Sequence, residues 1–328
     1  MTREPARGEG LAGTDPVLDS LIAGNDLDEL VREVDRRTGA NDWPGLLRLR
    51  DRCQSALERG FQLWPVASLA EYRLALRSPG KWAARITREG AGRFALGPLS
   101  EVAASTHAWS ELAPHLQPGP LAGVCAHERV VRGEDLSRVD VPFGDVFDLP
   151  LVLEPWEPRW PVATYSDNEI HAPRPGLPTL CAAPLSKPGE RLDDPEAEAA
   201  LLAVVSSWTS QSNGRAEVSC VRGAALAAAV MLGSGEMHAA ELEAGEALVQ
   251  LAWAGASGGA HGRRRGAATG RNLAWGCAEV LGGVDAVSAL HWFAWDDTAV
   301  PELGWSLRLA VENPGEGVSW ALSASDRS

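Results

Sequence analysis

Ten of the 22 prolines in this chain fall between Pro150 and Pro195. Each proline fixes φ and removes a backbone donor, so a stretch this dense holds neither a long helix nor a central strand. The chain is thereby divided into a helical domain over 15–149, a Pro-rich connector over 150–195 and a third part over 196–328, after a tail over 1–14. Trp156, Trp160 and Tyr165 lie in the connector. Aromatic residues are scarce in free linkers, so the segment is predicted to pack on the protein surface.

The texture on either side supports this division. The tail is polar and Gly-rich and is predicted to be disordered until Asp15-Pro16, which supplies an N-cap followed by proline at the first helical position. Leu27, Leu30, Val31 and Val34 then recur at helical spacing, as do Leu46, Leu47 and Leu57, and Ser68-Leu-Ala-Glu71 reads as a capping box. Past the connector, Asp194-Pro195 caps a helix reaching Trp208, and further helices are expected near 222–232 and 239–254. Trp305, Leu307, Leu309 and Val311, then Val318, Trp320 and Leu322, alternate with smaller or polar residues around Asn313 to Gly317. That alternation predicts a β-hairpin with one buried face. The expected fold class is mainly α: an N-terminal irregular helical bundle or solenoid-like domain, then a C-terminal α+β part ending in the hairpin.

A length of 328 residues suffices for a substantial core, and a formal net charge of -14 disfavours a protein that coats nucleic acid or an anionic membrane. Nucleic acid is therefore an unlikely partner, and a nucleic-acid-associated protein ranks last among the readings. Cys53, Cys125, Cys181, Cys220 and Cys277 stand singly, which fits reduced thiols. No apolar run is long enough to span a bilayer, so no membrane is expected and the protein is placed in the cytoplasm. Only Lys81 and Lys187 are lysines, so 28 of the 30 basic residues are arginine, a bias associated with high-GC bacterial coding.

Several motif matches fail on context. Gly8 to Gly13 satisfies GxGxxG but no strand feeds it, and His127-Glu128 begins an HExxH that Val131 does not complete. No metal site and no cofactor are expected. Gly255-Ala-Ser257-Gly-Gly259 matches the GxSxG nucleophile elbow, which makes a serine hydrolase using Ser257 the alternative function. Its flank from Glu241 to Trp253 reads as helix, whereas the elbow needs a preceding strand.

The segment 247–278 carries the clearest signal. Arg263, Arg264, Arg265 and Arg271, with His261 nearby, stand in a window without a single acid between Glu246 and Glu279. Local positive charge in a strongly negative chain, carried by side chains whose planar fork suits carboxylate and phosphate, points to an anion site or to an acidic partner. Ala254, Gly258, Gly262, Gly266, Gly270, Ala274 and Ala278 recur every four residues, which predicts a small-residue helix, or two helices broken near Gly258-Gly259.

The stretch from Ala256 to Arg271, with Trp64 to Tyr72 and Gly92 to Glu101, resembles an uncharacterised family of hypothetical proteins from actinobacteria. The resemblance runs over most of the chain and implies no activity, so it transfers no catalytic residue. The function expected from the sequence is binding or scaffolding, with His261, Arg263, Arg264, Arg265 and Arg271 receiving an anionic small molecule or an acidic protein surface.

Overall fold

A computed structural model describes residues 15–90, 95–139, 146–184, 186–233, 235–297 and 304–327, with the side chains of 284–286 excepted. The tail expected to be disordered, 1–14, lies outside the described residues, as does the Gly8 to Gly13 motif.

Eight helices open the chain: α1 (Pro16–Gly24), α2 (Leu27–Gly39), α3 (Trp43–Leu57), α4 (Trp64–Arg77), α5 (Gly80–Glu89), α6 (Leu99–Thr106), α7 (Trp109–Leu112) and α8 (Pro120–Val130). Their starts follow local chemistry. Asp15, Asp26 and Asp42 each accept first-turn amides as N-caps, and Pro16, Pro44 and Pro65 occupy early positions where no donor is missed. Leu30, Val34, Leu46, Leu49, Leu74 and Ile86 meet in one apolar core shared by the first six helices. Ser68 does not start a helix as its capping-box pattern suggests; it lies buried within α4, which begins at Trp64.

The Pro-rich segment contributes four two-residue strands, β1 (Thr164–Tyr165), β2 (Ile170–His171), β3 (Cys181–Ala182) and β4 (Glu190–Arg191). It is less peripheral than a surface strap. Trp160 and Ala163 are buried, and β3 and β4 form the two edges of the main sheet. Two-residue edge strands are compatible with proline because only one side of each must pair.

Then come α9 (Pro195–Val204), α10 (Ser206–Gln211), β5 (Arg215–Arg222), α11 (Ala225–Val230), β6 (His238–Leu242), α12 (Ala244–Ala256), α13 (Ala267–Gly282), β7 (His291–Asp296), β8 (Trp305–Asn313) and β9 (Val318–Asp326). The sheet is antiparallel with strand order β3-β6-β7-β8-β9-β5-β4. The expected hairpin is present as β8 and β9, in register from Trp305 opposite Asp326 to Asn313 opposite Val318. It is the centre of a larger sheet, and β5, β6 and β7 are strands where helix, or no strand, is expected. Both faces of the sheet's centre are covered, which explains the miss at β7. Trp292, Leu309, Trp320 and Leu322 pack in the core with α9, α12 and α13, while Val221, Trp295, Ala310 and Ala321 pack against α11. A strand buried on both faces, such as His-Trp-Phe-Ala-Trp-Asp in β7, shows no polar alternation to read.

Of the two forms expected for the small residues spaced by four, the structure shows the two helices, with Gly258-Gly259 in the break between them, and not one helix. α12 stops at Ala256, α13 starts at Ala267, and the amide of Arg265 closes the connection by donating to the Ala256 carbonyl at 2.7 Å. Gly258, Gly262 and Gly266 lie in that connection, which spares the helix about 1 kcal/mol for each glycine. On the helices the small residues do allow close approach: a Cβ on Gly270 would stand 2.3 Å from the Ala252 carbonyl oxygen of α12.

Candidate functional site

The N-terminal helices meet the C-terminal half at the start of α13, around four buried charges. Glu101 of α6 is 0% exposed and Glu128 of α8 is 1% exposed, and both aim their carboxylates at the first turn of α13. Glu101 Oε1 accepts from the Ala267 amide at 3.2 Å, and Glu128 Oε1 accepts from the Ala268 amide at 3.0 Å. These amides have no acceptor within the helix and carry the positive end of its dipole. Gly266 makes the approach possible: its φ is 100°, and a Cβ there would lie 2.5 Å from Glu128 Oε1.

Two arginines complete the cluster. Arg264 holds Glu101 with both arms of its fork, Nε to Oε2 at 2.8 Å and Nη2 to Oε1 at 2.7 Å, and Tyr165 donates its hydroxyl to the same Oε2 at 2.7 Å. Arg132 Nη1 donates to Glu128 Oε2 at 2.6 Å, and its Nη2 lies 3.7 Å from Glu101 Oε1. The two carboxylates titrate in opposite directions. Burial alone would raise Glu101, but the charge and hydrogen bonds of Arg264 outweigh it and hold the group below its ordinary value. For Glu128, burial and the neighbouring Glu101 charge win over Arg132 and push it up to about 7.

A cavity of about 440 Å³ opens beside this cluster, with Gly97 to Ser100 and Gly262 to Arg264 in its lining. Glu101 is not part of the wall, whereas Arg264, which holds it, is. Arg263 is exposed at the same wall.

The five residues singled out by the sequence therefore separate. Arg263 and Arg264 share the cavity. Arg271 is fully buried elsewhere, in a bidentate pair with Glu157 at 2.7 Å on both arms, and it also donates to the carbonyls of Pro150 and Val152 at 3.0 Å. Its anion is thus the protein's own connector. Arg265 donates to Ser206 Oγ at 3.2 Å, and His261 is exposed.

Ser257 forms no nucleophile elbow, because it follows the C-terminus of α12 instead of a strand. It is 3% exposed; its hydroxyl donates to the Ala254 carbonyl and accepts from Trp208 Nε1, both at 2.9 Å. His127 is buried against Phe147 with its Nδ1 unpartnered, and burial and the Arg271 charge lower it to about 4.

Glu101, Glu128, Arg132 and Ser100 were not found by sequence reasoning. The available signal was an isolated charge within an apolar helix, as in Leu99-Ser-Glu101-Val-Ala-Ala and Gly123-Val-Cys-Ala-His-Glu128. Glu101 could not be matched to Arg264, 163 positions away, and although Arg132 stands four residues after Glu128, nothing local aims that carboxylate at the Ala268 amide, 140 positions away.

A family model matches residues 28–328, that of a family of unknown function, DUF6183. No curated protein and no solved structure matches the chain.

Proposed function

Since the chain belongs to the DUF6183 family, whose membership brings no assigned chemistry, we propose from the site alone that it is a binding protein for an anionic small molecule. The observation that carries this reading is the cavity of about 440 Å³ with Arg263 and Arg264 on its wall. A concave site with a few convergent cationic donors is the usual form of an anion pocket. Glu101 pairs with Arg264, so Arg264 orients the wall, and Arg263 presents a second guanidinium beside it. In the same reading the protein works in a bacterial cytoplasm, as its unpaired cysteines and its preference for arginine over lysine suggest.

The test is a thermal-shift screen against nucleotides, sugar phosphates, polyphosphate and dicarboxylates, run on the wild type and on Arg263→Ala. Arg264 is left intact because its removal would strand a buried carboxylate. A ligand at a hundred times its Kd stabilises by about 2.7 kcal/mol. The expected result is a shift in the wild type that is reduced in the variant. Equal shifts in both, or none with any compound, would contradict the reading.

A further inference from the structure

The main sheet ends on one side in an edge that is only partly closed. β4 pairs with β5 at Val221 and Arg222, and the Leu192 amide adds one bond to the Cys220 carbonyl at 2.9 Å. The chain then leaves the sheet, because Asp194 turns it into α9: its carboxylate accepts from the Ala197 amide at 3.1 Å and from Trp320 Nε1 at 2.8 Å. The Cys220 carbonyl points away from β9, and every second residue of an antiparallel strand turns its backbone groups the same way. Val218 and Ala216 therefore direct their N–H and C=O groups outward, and none of these groups bonds to a described residue. An open edge of this kind is a template for another extended backbone, which can match its donors and acceptors in turn.

A cavity of about 330 Å³ lies against that edge, lined by Val218 and Cys220 of β5, Arg191 to Asp194, and Glu198 of α9. The charged lining is Asp193, Asp194 and Glu198 against Arg191 alone. Asp193 and Glu198 are exposed and make no ion pair with a described residue. The negative potential reaches the strand itself: burial, then the charges of Asp194 and Asp193, push the Cys220 thiol up to about 11. Such a lining favours a cationic occupant. A second copy of this chain fits poorly, since pairing the same patch on both would bring these carboxylates against themselves.

We propose that the open edge of β5 docks an extended segment of a partner protein that carries lysine or arginine. The segment adds to the sheet as a strand beside Ala216 and Val218, and a cationic side chain enters the cavity beside Asp193 and Glu198. Side chains alternate along a strand, so basic residues at every second position suit the cavity. Backbone pairing supplies affinity, and the carboxylates select the sign of the charge. This site shares no lining residue with the arginine-walled cavity and does not depend on it.

Fluorescence anisotropy of the full chain with short, capped, labelled peptides tests this. One peptide alternates valine and lysine, one alternates valine and glutamate, and one keeps the lysines but has proline in place of the central valine. The lysine peptide should bind about tenfold or more tightly than either of the others. Val218→Pro removes an outward N–H that the β9 ladder does not use, and Glu198→Lys reverses an exposed charge. Each should weaken the lysine peptide by about tenfold, and Glu198→Lys decides the matter if Val218→Pro does not fold. The docking site is wrong if no peptide binds, if either control peptide binds as tightly as the lysine peptide, or if Glu198→Lys binds it unchanged. A dimer of the free chain, seen by sedimentation and lost in Val218→Pro, would place a second copy on the edge and equally overturn the proposal.

Discussion

At the scale of single residues, the two buried glutamates govern how stability responds to pH, and they do so with opposite signs. Glu128 has a folded value of about 7 against an ordinary 4.5, so the native state holds a proton that the unfolded chain has released between those values. Its contribution is present below about pH 4.5 and is lost as pH rises to about 7. Glu101 is lowered, so its contribution is present above 4.5 and is lost as pH falls through its folded value. Glu128→Gln should flatten the stability profile between about pH 4.5 and 7, measured by urea denaturation across that range; a slope unchanged from wild type would contradict the assignment. Glu101→Gln leaves the Arg264 guanidinium buried without its counter-charge and should cost about 3–5 kcal/mol, read as a lower midpoint at pH 8. The sequence made Arg263 and Arg264 visible because charge of one sign clustered locally. It left their surroundings hidden, because Glu101 pairs with Arg264 across 163 positions.

At the scale of elements, the crossing of α12 and α13 depends on small residues at particular turns. Gly270 meets backbone, the Ala252 carbonyl, whereas Gly276 on the same helix has nothing within 4 Å of a would-be Cβ. Intrinsic propensity favours alanine at both by about 1 kcal/mol. Gly276→Ala should therefore raise Tm, while Gly270→Ala should lower it, since backbone cannot yield as a side chain can and overpacking costs about 1–3 kcal/mol. Two shifts of the same sign would refute that geometry. The Pro-rich segment depends instead on Arg271, so Arg271→Leu should destabilise by about 3–5 kcal/mol, and adding Glu157→Leu should recover much of the loss; the double variant's denaturation midpoint decides it. Element starts marked by Asp-Pro pairs were legible in the sequence, at Asp15-Pro16 and Asp194-Pro195. Strand β7 was not, because Trp292 and Trp295 pack on opposite faces and leave no polar alternation, while β5 alternates only over Arg215 to Val218 before its residues become buried.

At the scale of the whole molecule, residues from three distant stretches converge: α6 and α8 from the N-terminal helices, Tyr165 from the Pro-rich segment, and Arg264 with the α13 amides from the C-terminal half. No described helix is long and apolar enough to cross a membrane. The joint between the halves is charged inside and walls the cavity outside, so a ligand bound there must protect the joint's own backbone. Hydrogen exchange of the α6 first-turn amides, Leu99 to Glu101, with and without a saturating concentration of the anion that gives the largest thermal shift measures this directly. The account predicts slowed exchange at those amides, with little change in the sheet. Unchanged exchange at α6 at demonstrated saturation, or protection confined to another part of the chain, would contradict it.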